Sequence, residues 1–285
     1  MPRRDVPEQA ETATPHPAVT SCIRLLLAMS GRGPFRPSLG ALATLGPGSR
    51  PSMLCHRPVD GGMVFGMEAH REPVLLDFPF RGRWMARNSP ARRVPSHGTH
   101  LLGTTYAVDF IAVDERGRSA PRGWRAALAT EPPERFRGFG VPVLAPVAGT
   151  VVAVHDGEFD HEARRSQLAL VPYALGQAAR VRGGAPAIAG NHVVVAPSPG
   201  GPFVLLAHLR SGSVRVSAGD VVAVGAEVGR CGNSGNSTQP HVHVQATDSL
   251  DWPRTRGLPI AFRDPTNPGT PGGWMPRESE VVDVS

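Results

Sequence analysis

Residues 203–245 read FVLLAHLRSGSVRVSAGDVVAVGAEVGRCGNSGNSTQPHVHVQ. Two apolar runs, Phe203–Ala207 and His241–Ala246, bracket short β-branched pieces at Val221–Val224 and Val228–Cys231. Gly-Asp, Gly-Ala and Gly-Asn pairs punctuate them, and this spacing of strands and turns predicts an all-β unit. The closing Pro240-His241-Val242-His243-Val244 carries the first chemical signal. On a strand, side chains at i and i+2 share a face. His241 and His243 therefore project side by side while Val242 and Val244 turn into the core. Two imidazoles on one face suit a zinc site of three protein ligands and one open position.

The pattern extends in both directions. Further strands are predicted at Val74–Phe78, Tyr106–Val113, Thr150–His155, Leu168–Val171 and His192–Ala196. No long amphipathic helix is expected. Residues 115–140 and 156–190 read as insertions between strands, which in a compact β domain often form the rim of a cleft. The fold class expected is mainly β, a two-sheet β-sandwich hybrid with long loops. Residues 1–66 read as a disordered leader rich in Pro, Arg, Ser, Gly and Thr, with methionines at 63 and 67 as alternative starts. The folded unit is placed at 67–265, and 266–285 is expected to be an irregular tail.

Composition removes several classes of function. The 285 residues contain 30 basic side chains, all of them arginine, and 24 acidic ones, for a net charge of +6. Without lysine there is no Schiff-base nucleophile, no P-loop phosphate anchor and no attachment point for biotin or lipoate. That last absence matters, because PVLAPVAGTVVAV (142–154) and VSAGDVVAVGAEVGRCG (216–232) could otherwise be read as a carrier domain. The arginines are spread along the chain, and no dense nucleic-acid-binding stripe is present. Cys22, Cys55 and Cys231 form neither a metal knuckle nor a disulfide framework. The Leu25–Met29 run is far shorter than the roughly 20 residues of a membrane span, and it does not make a convincing signal peptide.

Two more segments carry candidate chemistry. His208 closes the apolar strand FVLLAHL. In SHGTHLLGTTYAVDF (96–110), Asp109 falls in the middle of an apolar strand, where burying a carboxylate is costly unless it is paired or bound to a metal. His97 and His100 precede it on a Gly-punctuated loop able to fold back over it. Asn191, in GNHVVVA (190–196), reads mainly as a turn residue, and Tyr106 is a weaker candidate.

Together these segments, with GLPIAF (257–262), resemble the lysostaphin-type, or LytM-like, peptidoglycan zinc metallopeptidases. The resemblance covers about residues 94–263 and is most specific from Phe203 to Gln245. It implies one Zn2+ per chain held by His97, Asp109 and His243, with His100 as a rival to His97. His208 and His241 would be the unligated histidines, one serving as general base and the other hydrogen-bonding the developing oxyanion. The first motif departs from the family's HxGxD, since eleven residues separate His97 from Asp109. The resemblance further implies hydrolysis of peptidoglycan stem or cross-link peptides, outside the cytoplasm or at the cell wall; without a convincing signal peptide a cytoplasmic location stays open, and a monomer is expected. A non-catalytic LytM-like module and a zinc peptidase acting on another peptide are the alternatives.

Overall fold

The computed structural model describes residues 72–166, 184–266 and 273–285. The expected leader at 1–66 and the expected strand at Leu168–Val171 lie outside them. The architecture is mainly β. In chain order the strands are β1 (Val74–Leu76), β2 (Gly82–Arg87), β3 (Val108–Ala112), β4 (Pro142–Leu144), β5 (Gly149–His155), β6 (Asn191–Ala196) and β7 (Phe203–Leu209). They continue as β8 (Val221–Val222), β9 (Glu227–Arg230), β10 (Val242–Thr247), β11 (Gly257–Leu258), β12 (Ile260–Phe262) and β13 (Val281–Val284). The helical pieces are short: α1 (Trp124–Leu128), α2 (Gly184–Ala189) and two 3-10 turns.

One sheet of nine strands dominates, ordered β13-β2-β3-β10-β7-β6-β5-β8 with β11 added at the end of β10. Two ribbons accompany it, β1 with β12 and β4 with β9. Alternation along each strand decides what faces the core. Val108 and Phe110 on β3, Leu206 on β7 and Val244 on β10 share an apolar cluster with Leu76, Phe262, Val143 and Val228 from the ribbons. The core thus lies between one face of the large sheet and the ribbons. Phe78 stacks on Phe262 at a 4.6 Å centroid distance, and Phe80 stacks on Trp84 at 4.5 Å. Buried aromatics of this size supply much of a core's apolar area.

Five strands fall outside the expected set, β2, β4, β11, β12 and β13, and two of them lengthen the large sheet beyond β3. Gly82–Arg87 (GRWMAR) lies next to β3, because Trp84 and Ala86 alternate inward while the arginines alternate out. The supposed irregular tail holds β13, which pairs with β2 from Val281↔Met85 to Val284↔Gly82. Its period-two pattern explains this: Val282 and Val284 are buried and Val281 and Asp283 exposed. The segment at 115–140 and the described part of the one at 156–190 also pack on each other. Glu131 and Ala163 form an antiparallel bridge, and the fully buried Glu131 carboxylate accepts two 2.7 Å hydrogen bonds from Arg165.

Candidate metal centre

The sheet faces away from the ribbons with a second set of side chains, and there the histidines gather. β10 pairs with β3 and β7 at once, and His243 lies opposite Asp109 on one side and Ala207 on the other. His243, Asp109 and His97 are buried, and each offers a ligand atom within 4.8 Å of the others. His243 Nδ1 is 2.9 Å from Asp109 Oδ1, and His97 Nε2 is 3.2 Å from Asp109 Oδ2. Donors bound to one tetrahedral zinc at about 2 Å stand about 3.3 Å apart, so these two spacings suit that ion. Among the described residues this is the only such group found. His97 is brought there by a tight turn closed by Gly98 N–H donating to Pro95 O. His100 is exposed, and its Nδ1 lies 3.1 Å from Thr105 Oγ1.

Hydrogen bonding assigns the proton on each ring, since a carbonyl can only accept. Gln245 Nε2 donates to Leu102 O, which leaves its Oε1 facing His243 Nε2 at 2.9 Å. His243 Nε2 therefore carries a hydrogen, and Nδ1 is the nitrogen turned to the site. Ser96 Oγ gives its proton to Thr104 O and accepts from His97 Nδ1–H at 3.0 Å, leaving His97 Nε2 as the nitrogen turned to Asp109. Asn88 Nδ2 donates to Asp109 Oδ2 at 2.7 Å. All three proposed donors are thus oriented from outside, as metal ligands commonly are.

His208 and His241 flank the triad. Their ring centroids are 4.6 Å apart, and His208 lies 5.8 Å from His243. His208 Nδ1–H donates to Ser234 O at 3.0 Å, and His241 Nδ1–H donates to Gln239 O at 2.8 Å. His241 Nε2 is fully buried without a hydrogen-bond partner, 3.6 Å from Asp109 Oδ1. An orphaned buried acceptor is uncommon and marks a place where something else binds.

A bulge puts His208 on this face. From Asn191↔Leu209 to Val193↔Leu206, β7 spends three residues where β6 spends two. Strict alternation would send His208 into the core with Leu206. Instead its φ of 62° in the left-handed region swings the ring to the site face, and Leu209 drops into the core. Such a conformation is uncommon outside glycine and persists where its surroundings hold it. Those surroundings include Asn191, which the sequence presented as a turn residue. It is fully buried, accepts from Gly157 N–H and Glu158 N–H, and donates to Leu209 O. Behind it Gly190 (φ +63°) and Gly235 touch backbone to backbone: a Cβ on Gly235 would stand 2.4 Å from Gly190 N. The loop carrying Ser234 can approach only because both are glycine.

The electrostatics follow from burial and neighbours. Burial works to raise the Asp109 carboxyl. The charges of His97 and His241 and hydrogen bonds from His243 and His97 outweigh it, and hold the group well below the usual carboxylate range. Burial depresses both His208 and His241, His208 strongly and with the further repulsion of His241 and His243. Burial also works against the protonated form of His243, but its hydrogen bond to Asp109 and that carboxylate's charge raise it above the ordinary histidine value.

The family model described as peptidase family M23 matches residues 173–252, a stretch that holds His208, His241 and His243. This region is M23-like. The resemblance drawn from the sequence therefore stands, while His97 and Asp109 lie upstream of the matched M23 segment. Solved structures similar to the chain include a mutant of the catalytic domain of the prophage-encoded M23 protein EnpA from Enterococcus faecalis. It is 19% identical, with 59% of this chain and 78% of that chain covered and a TM-score of 0.31. The catalytic domain of the antimicrobial peptidase lysostaphin from Staphylococcus simulans is 19% identical over 53% of this chain and 74% of its own, at a TM-score of 0.30. No curated protein matches the chain.

Proposed function

We propose that the chain is a zinc metalloendopeptidase that hydrolyses peptide bonds of bacterial peptidoglycan. One observation carries the reading: a buried His-Asp-His donor set lies beside two further histidines, His208 and His241, each with its Nε2 free of a proton. Support for the wall substrate comes from the family resemblance and the M23 match. His97, Asp109 and His243 would hold the ion. Bound there, zinc supplies a water of pKa lowered toward about 7 and a Lewis acid for the substrate carbonyl.

The chain's own residues do the rest. One bare Nε2, of His208 or His241, accepts the proton of the attacking water. That ring then passes the same proton to the leaving amine, while the other ring, protonated from solvent, hydrogen-bonds the developing oxyanion and keeps its proton. Ser234 and Gln239 hold the two rings through Nδ1–H, so neither ring can present its other nitrogen. The HExxH glutamate base of other zinc peptidases has no counterpart here, and histidine takes that work. Among the described residues no helix is long and apolar enough to cross a membrane.

The full chain loaded with zinc should release new amino termini from purified peptidoglycan. Replacing His241 by Ala should keep most of the zinc and lower the rate by about 100-fold or more. No peptide release from zinc-loaded protein would refute the proposal.

A further inference from the structure

Beside the donor set is a cavity whose apolar walls the hydrolytic chemistry does not use. It measures about 50 Å³ and is walled mainly by Leu102, Ile188, Ala189, Leu205, Ala207 and Trp252, with Thr104, Gln245, His208 and His243 completing the lining. Its floor is the same sheet face as the donor set, displaced along the strands: His243 pairs with Ala207, and two residues on Gln245 pairs with Leu205. His208 and His243 line both the cavity and the donor site, so a side chain next to a carbonyl held at that site opens into the cavity.

The walls define what fits. Ala189 and Ala207 are the small residues that leave the space open, and Trp252 forms a rigid side. Both polar ends of Gln245 are already engaged, with His243 and with Leu102 O. The lining holds no carboxylate and no arginine, so a charged side chain would enter without a strong ion-pair partner, which is costly. An apolar cavity of about 150 Å³ is needed to take a benzene ring, so an aromatic side chain is too large for this one.

We propose that this cavity is a specificity subsite that takes the small aliphatic side chain, alanine-sized, of the residue flanking the scissile bond. The proposal rests on the peptidase reading and sharpens it: the preferred bond is an alanyl one, with glycine accepted less well and charged or aromatic residues rejected. Filling the cavity with one methyl group favours alanine over glycine by about 10-fold in kcat/KM, the discrimination typical of one carbon in an apolar pocket.

The test uses the full zinc-loaded chain and quenched peptides that differ at one position. Gly, Ala, Phe or Asp is placed in turn on the amino and the carboxyl side of the scissile bond. Alanine should exceed glycine about 10-fold on one of the two sides, with Phe and Asp poorest. Ala189→Leu, which fills the cavity, should bring the Ala/Gly ratio down to about 1, and Trp252→Ala, which opens it, should raise the Phe/Ala ratio about 10-fold. Equal wild-type cleavage of Gly and Ala peptides, or ratios unmoved in both variants, would overturn the subsite. If no peptide and no peptidoglycan is cleaved, the peptidase reading fails by itself. The subsite is then judged by calorimetric binding of the same peptides: tighter binding of Ala than Gly, lost in Ala189→Leu, supports it, and equal binding sinks it.

Discussion

Gln245 and His243 stand two residues apart on one face of β10, and the glutamine fixes which nitrogen of the imidazole is available to a metal. Its amide orientation is set in turn by Leu102 O, 2.9 Å from its Nε2. Removing the acceptor should therefore weaken metal binding without touching a ligand. Gln245→Leu is expected to lower zinc affinity by about 10- to 100-fold, and Gln245→Glu, which still accepts, should restore most of it. Competition titration against a chelator gives the affinities, and the visible spectrum of the cobalt-substituted protein reports whether the ligand set is unchanged.

His97 and His100 are three residues apart but are placed differently. His97→Ala should lose tight zinc binding, whereas His100→Ala should bind within a few-fold of the unmodified chain. Zinc content after dialysis separates the two, and the opposite pattern would return His100 to the donor set.

This pair also shows where sequence reading reaches its limit. The HVH triplet was legible because strand alternation is strictly local, and Asp109 was legible because a carboxylate inside an apolar strand asks for a partner. The choice between His97 and His100 was not, since it depends on how the turn at 95–98 folds back across β3. The role of His208 was legible only through the family resemblance, because strand alternation argues against it. Alternation alone sends it into the core, and only the extra residue in β7 and the left-handed backbone reverse that. β2 and β13 were missed because their inward residues are few and flanked by arginines or by a polar tail. Ser96, Asn88 and Gln245 carry no motif at all, and their value comes from partners distant in the chain.

The two insertions should be tied together by one ion pair. Glu131 is fully buried, and Arg165 grips both of its oxygens while Arg135 stands farther off at 3.7 Å. Arg165→Met leaves that carboxylate without its main partner and is expected to cost about 3 kcal/mol of stability. Urea unfolding measures the loss, and faster proteolysis within 115–140 should accompany it.

Acid stability should depend on the turn at 114–118. Hydrogen bonds from Arg118 N–H, outweighing some desolvation, and from the Arg118 side chain and Arg116 N–H pull the Asp114 carboxyl down to about 2. The unfolded chain takes up this proton near the ordinary value of about 3.9. The contribution is therefore complete above about pH 4 and is lost as pH falls through about 2. Asp114→Asn should flatten the acid limb of the stability profile in that window, and urea midpoints between about pH 5 and about pH 3 will show it.

The β3–β10 pairing has a consequence in time. Asp109 and His243 are 134 residues apart in sequence yet hydrogen-bonded across neighbouring strands. During synthesis, which proceeds at about 5–20 residues per second, the first half of the donor set exists well before the second. A growing chain therefore holds no complete site until β10 has been made and has closed between β3 and β7. Once an ion bridges the two strands, it also cross-links a long loop and opposes unfolding. If the chain is the peptidase proposed above, hydrolytic competence and completion of the sheet are one event, and an unfinished or misassembled chain is harmless to the peptides around it.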